Sequence, residues 1–442
     1  MSGTSLDGSI VEGADLRECT LRGLSMKNTQ WRNVDLTSAD LAAVDLSGAR
    51  FYECRLAGAN LSGADLTGAM LPGGVLEAAN LTSALLSGAD LSEANCRDAV
   101  MVEADLKNAL LDRTDFTGAV LAQAVMPVPA LAGALLSGAD LSGTDLAGAR
   151  LSGHDLTGCI FSGTGLSAAD LSGAVLNDTD FSDADLRETN FSGASFRDAT
   201  LSGADCTGAD FSRAHFANSY LDGAVLVGAR LVEATFIESV LDMMDLRTTL
   251  FEKAEFESCS FWESLLDGAN LSSCTFIDSD FSRAGMAETV FDGATLSGCD
   301  FDGAILRNAR LTGVKAPNAH FNKCSAEGAV FRGAVLPSAH FINAQLNSAD
   351  FSGADLRQAL FTGAVVKNAT FKGSLLHYSL ITHADIDQAD FSNADLLWTD
   401  FHATKGDGIN WTGANLDNVR PVDRERLAAE IWKAGEPPRW IL

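Results

Sequence analysis

The chain reads as an all-β solenoid, and three observations predict it. Large apolar residues recur every five positions, as Leu141, Leu146 and Leu151 do in SGADLSGTDLAGARLSG, residues 137–153. A small residue stands two places before each of them: Ala139, Thr144 and Ala149. The register does not slip from Leu6 to Phe401. Positions whose numbers end in 1 or 6 are nearly all Leu, Phe, Met, Val, Ile or Trp. Those ending in 4 or 9 are mostly Ala, with some Thr, Ser, Cys or Val. A helix repeats at 3.6 residues and a flat strand at two, so neither fits. A fixed short period sustained over hundreds of residues marks a solenoid.

The distribution of charge tells inside from outside. Neither class of position carries Asp, Glu, Lys or Arg through Thr404. Burying an unpaired ion costs several kcal/mol or more, so a charge-free set of positions faces the core. One large and one small side chain in each five point inward. The other three hold the charge and most of the Gly, which often stands two places after the large residue, where a sharp turn favours φ > 0.

The motif A(D/N)LxG, as in ADLSG at 139–143 and ANLSG at 59–63, resembles the pentapeptide-repeat proteins, and the resemblance runs over nearly all of 4–419. It implies a right-handed quadrilateral β-helix of about 20 coils, four repeats to a square coil, with a strand spacing of about 4.8 Å and a rod on the order of 100 Å long. Residues 20 apart would then stack. Phe261, Phe281, Phe301, Phe321, Phe341 and Phe361 fall in one inward column, and Phe331, Phe351, Phe371 and Phe391 in the opposite one. Leu226, Leu246, Leu266, Met286 and Leu306 lie between them, so Phe and Leu should alternate around the square in the C-terminal half. Each buried ring contributes about 2–3 kcal/mol.

Taken in order, the elements are one β-helix domain over 1–419 and a capping helix with an apolar tail over 420–442. The first coil follows MSGTSLDGSIVEGADL, which has no basic stretch before an apolar core and so does not read as a secretory signal. MSGTSLDG is similar to the phosphate-binding opening of some sugar kinases, but repeats follow at once where a nucleotide-binding domain would be needed. LPGG at 71–74 is a mild fault. VMPVPALAG at 125–133 puts Pro129 at an inward position, and Pro removes a ladder donor, so a bulge of about five residues is expected there. His154 is a further polar residue at an inward position, expected neutral and hydrogen-bonded or displaced. VKAPNAHFNKCSAEG at 314–328 places Ala316 and Ala326 where large residues belong. KGDG at 405–408 breaks the coil, and GINWTGANLDNV fits one last register through Trp411, Leu416 and Val419. In RPVDRERLAAEIWKAGEPPRWIL, Asp423 suits a helix N-cap, and Leu427, Ile431 and Ala434 share a face.

Composition excludes several classes of function. The 59 acidic and 31 basic side chains give a formal charge of −28, which argues against bare nucleic acid or an anionic membrane as partner. No apolar run approaches the roughly 18 residues of a membrane span. All nine Cys fall at inward positions and no two are 20 apart, which suits small buried thiols and a reducing compartment. A soluble, cytoplasmic protein is expected. A core filled by its own side chains leaves no cleft for catalysis, so no enzyme and no cofactor is expected.

The candidate sites lie on the outside. His320 and His340 are 20 apart and continue a column with Asp300, a weak candidate for a divalent metal. DTDFSDADLRE at 178–188 lacks the Gly and the spaced Glu of an EF-hand. Tyr378 and Trp398, with Leu397 beside them, stand where the repeat normally leaves polar residues. Together with Leu427, Ile431, Trp432 and Trp440 they form a candidate contact surface for a partner or for the chain's own cap. One side, centred on 31, 51 and 71, is nearly charge-balanced by residues such as Arg32, Arg50, Arg150 and Arg310, while the other three are acidic.

These features support a rod-like scaffold that binds a protein partner. The resemblance implies an alternative, an acidic DNA mimic that binds or protects DNA gyrase. DNA carries a charge every 1.7 Å or so, about 60 over ~100 Å, and the net −28 here is roughly half that density. A weaker alternative is an effector or accessory of a bacterial secretion system. In gyrase-acting relatives a C-terminal helix makes the dimer, so a homodimer through that helix is a further expectation.

Overall fold

A computed structural model describes residues 5–431. Backbone contacts divide the chain into two compact units, Met1–Arg230 and Leu231–Leu442. Each is a parallel β-solenoid whose bridges join residues 20 apart. In the first unit they run from Ser5↔Ser25 to Asp210↔Arg230. In the second they run from Val240↔Ser260 to Asp400↔Arg420.

Most sides of the coil are single bridged residues, because a five-residue repeat leaves too little extended chain for a longer strand. At some sides three residues pair as a short strand. In the first unit β1 (Ile10–Glu12), β2 (Gln30–Arg32) and β3 (Arg50–Tyr52) make one parallel sheet, and β4 (Ser195–Arg197) pairs with β5 (His215–Ala217). In the second, β6 (Thr235–Ile237), β7 (Glu255–Glu257), β8 (Thr275–Ile277) and β9 (Thr295–Ser297) pair in that order. Among the described residues one α-helix, α1 (Arg424–Ile431), follows the last coil.

The predicted inward register is the observed one. Leu, Phe and Ala at these positions are buried through both units, from Met26 to Phe401. The turn two places after nearly every large residue has positive φ, as at Gly48 (64°) and, at a higher steric cost, at Tyr378 and Trp398 (both 60°). Gly406, in the KGDG break, has a φ of 150°, and a Cβ there would lie 2.6 Å from the Asp387 nitrogen. The coil recovers at once, since Lys405, Asn410, Asn415 and Arg420 bridge back to Asp385, Asp390, Asp395 and Asp400.

Both expected Phe columns are present in the second unit. Phe301 and Phe321 stack at 4.8 Å, Phe331 and Phe351 at 4.7 Å. Rings on the two columns meet edge to face, as Phe331 and Phe341 do at 5.8 Å and 89°. Strict Phe–Leu alternation, however, fails where a third column joins. Phe196 stacks on Phe216 at 4.3 Å in the first unit. Phe236, Phe256 and Phe276 stack at 4.9 Å in the second. Edge-to-face contacts around the corner accommodate the extra rings, Phe256 meeting Phe261 at 5.1 Å and 72°. The bulge at Pro127 is a 3-10 helix, Val128–Gly133. Bridges Asp115↔Leu135 and Val120↔Asp140 show that it is absorbed without loss of register. His154 is displaced to half-buried, with Nδ1 3.3 Å from its neighbour Ser152 O.

All nine cysteines are free thiols; eight are buried and Cys19 is half-buried. Burial pushes the Cys96 and Cys159 thiols up to about 12. A bulky maleimide applied to the native protein should therefore label at most Cys19, and rapid labelling of most thiols without denaturant would contradict the packing. Leu246 is fully buried, whereas Asp245 is an outward residue paired with Arg247 at 2.6 Å. Leu246→Asp should cost several kcal/mol for an unpaired buried carboxylate, and Asp245→Leu about 1 kcal/mol or less. Thermal melts that ranked the two variants in the opposite order would invert the register.

Candidate functional site

The acidic ladder is built into the turns. Asp or Asn immediately before the large residue turns its side chain back to the N–H two places on. Asp35 Oδ1 accepts the Thr37 N–H at 3.0 Å and the Thr37 hydroxyl at 2.5 Å. Asp140 and Asp350 each accept a Ser N–H at 2.9 Å, and Asn190 accepts one at 3.0 Å. This is the Asx turn, in which a short polar side chain satisfies a backbone donor that the ladder leaves over. Arg two residues on adds a fork, with Arg187 Nε and Nη2 at 2.7 and 2.6 Å from Asp185. Much of the surface acid is thus required by the fold.

These bonds hold carboxyls below their usual range. The Thr37 hydroxyl and N–H do so for Asp35, and those of Thr157 for Asp155. Asp300 goes the other way: burial first, then the neighbouring Asp302 and Asp280 charges, raise it. His320 and His340 continue that ladder with rings stacked 4.6 Å apart and nearly parallel. Burial, with the His320 charge beside it, lowers His340. Among the described residues, His320, His340 and Asp300 do not form a group of three whose ligand atoms lie within 4.8 Å of one another.

The expected contact surface lies on the last coils of the second unit. The Tyr378 and Trp398 rings are parallel at 6.5 Å, and the Arg420 guanidinium lies 5.9 Å from the Trp398 ring centre. Tyr378 is 55% exposed and Trp398 39%, while Leu397 beside them is half-buried. His377 Nε2 is 2.7 Å from Asp395 Oδ2 at the foot of this platform. Asp423 is the N-cap as predicted, its Oδ1 accepting the N–H groups of Glu425 and Arg426 at 3.0 Å. Leu427 is half-buried on α1. The Ile431 side chain, Trp432 and Trp440 lie outside the described residues.

A second cluster was not anticipated. His402 is outward by register yet 1% exposed. Its Nε2 lies 3.2 Å from Glu430 Oε2 on α1, and its Nδ1 accepts the Asp423 N–H at 3.2 Å. His383, one coil earlier, brings its own Nε2 to within 3.2 Å of the same Glu430 oxygen. Among the described residues this is the group of three His, Cys, Asp or Glu whose ligand atoms converge, all within 4.8 Å. His383 and His402 are 19 apart, so strict 20-residue columns separate them, and nothing in the sequence says that α1 returns to that corner.

The family model for pentapeptide repeats (8 copies) matches in segments, some of them overlapping, from 1–37 to 339–377. The chain belongs to the pentapeptide-repeat family. The matches pass over 119–129, where Pro127 opens the bulge, and end at 377, just before the aromatic platform of this pentapeptide-repeat protein. Among solved structures it is similar to HetL, a pentapeptide repeat protein involved in heterocyst differentiation regulation from the cyanobacterium Nostoc sp. strain PCC 7120. The identity is 26% over 49% of this chain and 89% of that one, with a TM-score of 0.30. A pentapeptide repeat protein from the Arabidopsis thaliana thylakoid lumen is 32% identical over 22% of this chain and 68% of that one, TM-score 0.22. QnrB1, a plasmid-mediated fluoroquinolone resistance protein, is 23% identical over 44% and 94%, TM-score 0.25. No curated protein matches. Among the described residues no helix is long and apolar enough to cross a membrane.

The lowered carboxyls make stability depend on acid in a definite direction. Their contribution is complete above the unfolded carboxyl value of about 3.9 and is lost as pH falls through the depressed folded values. Asp300, raised, opposes this as a single group. The melting temperature should slope down only slightly between pH 7 and about 5, where the lowered His340 is the group that opposes acidification, and fall steeply below about 4; a melting temperature that rises on acidification would refute the turn-capping role.

Proposed function

We propose that this protein is a non-enzymatic scaffold that binds a protein partner through the outer side chains of its coils. The observation that carries this reading is the aromatic pair Tyr378 and Trp398, held outward at turns with φ of 60°, where Gly or a polar residue is usual. Bulky residues are costly in that conformation, and exposed rings beside an Arg suit the buried centre of a protein interface. The inward positions are filled by packed apolar side chains, which favours binding on the surface over chemistry in a cleft. Free thiols suit a reducing, cytoplasmic setting.

The DNA-mimic reading rests on charge, and the Asx turns weaken it, because they call for Asp or Asn whatever the protein binds. We further assign α1 as a cap on its own last coil and not as a dimer element, since His402 engages both Asp423 and Glu430 of the same chain.

Crosslinking of the full chain in host extract should place a protein partner over 378–398. A Tyr378→Ser, Trp398→Ser double variant with an unchanged melt should weaken that complex at least tenfold, and a gyrase supercoiling assay should show neither protection nor inhibition. Stoichiometric action on gyrase, undiminished in the double variant, would replace the scaffold by the mimic.

A further inference from the structure

At the cluster of His383, His402 and Glu430 the three possible ligand atoms all lie within 4.8 Å of one another. Two imidazole nitrogens approach one carboxylate oxygen at the same 3.2 Å. A charge-assisted N–H···O⁻ bond is usually about 2.7–2.9 Å. Ligands bound to zinc at about 2.0–2.1 Å in a tetrahedron stand roughly 3.3 Å apart. The two rings lie at 87° with centres 5.7 Å apart, so their Nε2 atoms approach the oxygen from different directions. The scaffold beneath is rigid, because the His383 N–H donates to the His402 carbonyl at 2.9 Å. Glu430 is steadied through its other oxygen, which accepts Arg426 Nε at 2.8 Å.

We propose that His383 Nε2, His402 Nε2 and Glu430 Oε2 bind one divalent transition metal of the zinc class, with water completing the tetrahedron. The ion fastens α1 to the last two coils. Two imidazoles and one carboxylate suit zinc better than calcium or magnesium, which take oxygen ligands. The open fourth position and the 43% exposure of the His383 side chain give the ion a route in.

Without metal, His402 Nδ1 accepts the Asp423 N–H, so its proton sits on Nε2 and is donated to Glu430. Metal at Nε2 moves that proton to Nδ1 with no net release, and the Asp423 contact at the first turn of α1 must open.

The test uses the full chain stripped with a chelator. Zn²⁺ is titrated calorimetrically, and Co²⁺ by visible absorption, which reports tetrahedral coordination. One ion per chain is expected, with at least tenfold weaker binding in Glu430→Gln and in His383→Ala. Both positions are exposed enough to leave the coils folded, as circular dichroism would verify. A His340→Gln control should bind as the parent does. Absence of saturable Zn²⁺ binding would overturn the proposal, leaving a purely hydrogen-bonded latch. Binding unaffected by both variants, or lost in the His340 control, would also overturn it by moving the ion to another ladder.

Discussion

A backbone donor leaving one coil must find a carbonyl on a neighbouring coil, and in this chain it does so under one fixed pairing offset of 20 residues. Leu246 N–H meets Leu265 O at 2.8 Å, and Leu265 N–H meets Met244 O at 2.8 Å. With every coil held to that offset, residues 20 apart stand above one another, and each column must tolerate repetition of its own chemistry. Apolar side chains repeat well, since rings and branched chains stack on copies of themselves. Charges repeat badly, and inside they could not be repeated at all. The exclusion of ions from the core, the small residue beside each large one and the left-handed turn all follow from a chain obliged to return to the same place every coil.

The same constraint explains what could be seen beforehand. Register, inward faces, sealed thiols, the recovery of the coil after KGDG and the Asp423 cap are local or periodic properties, and periodic properties are written plainly in a sequence. The third ring column at Phe196 and at Phe236 to Phe276 was equally periodic, but simple alternation conceals it; edge-to-face packing allows three rings where one per opposite side was expected. The His383–His402–Glu430 cluster was illegible for a different reason. It joins residues 19 apart to a helix whose path depends on the loop after Arg420, and no period encodes that path. The aromatic platform was legible because it breaks a pattern that most other turns keep.

Surface acid carries less functional information than its quantity suggests. When an Asp oxygen closes a turn, as Asp140 does on Ser142, the charge is a by-product of a hydrogen bond that Asn190 makes equally well on Ser192. Function is better sought where the outside departs from the repeat. Here the departures gather on the last coils of the second unit: two rings in costly turns, an outward His that is buried, and a helix whose Glu reaches back to it.

The 3-10 helix at Val128–Gly133 bears on how such a chain can change its length. It occupies a repeat's place, and the bridges on either side keep their 20-residue pairing. A loss of one residue anywhere else would turn every later Leu outward and every later Asp inward until the count was restored. Length in this fold therefore comes in fixed denominations, five residues for a side and twenty for a full coil. Duplication of whole coils is the tolerated route to a longer chain, and a proline-bearing segment survives only by filling a complete denomination.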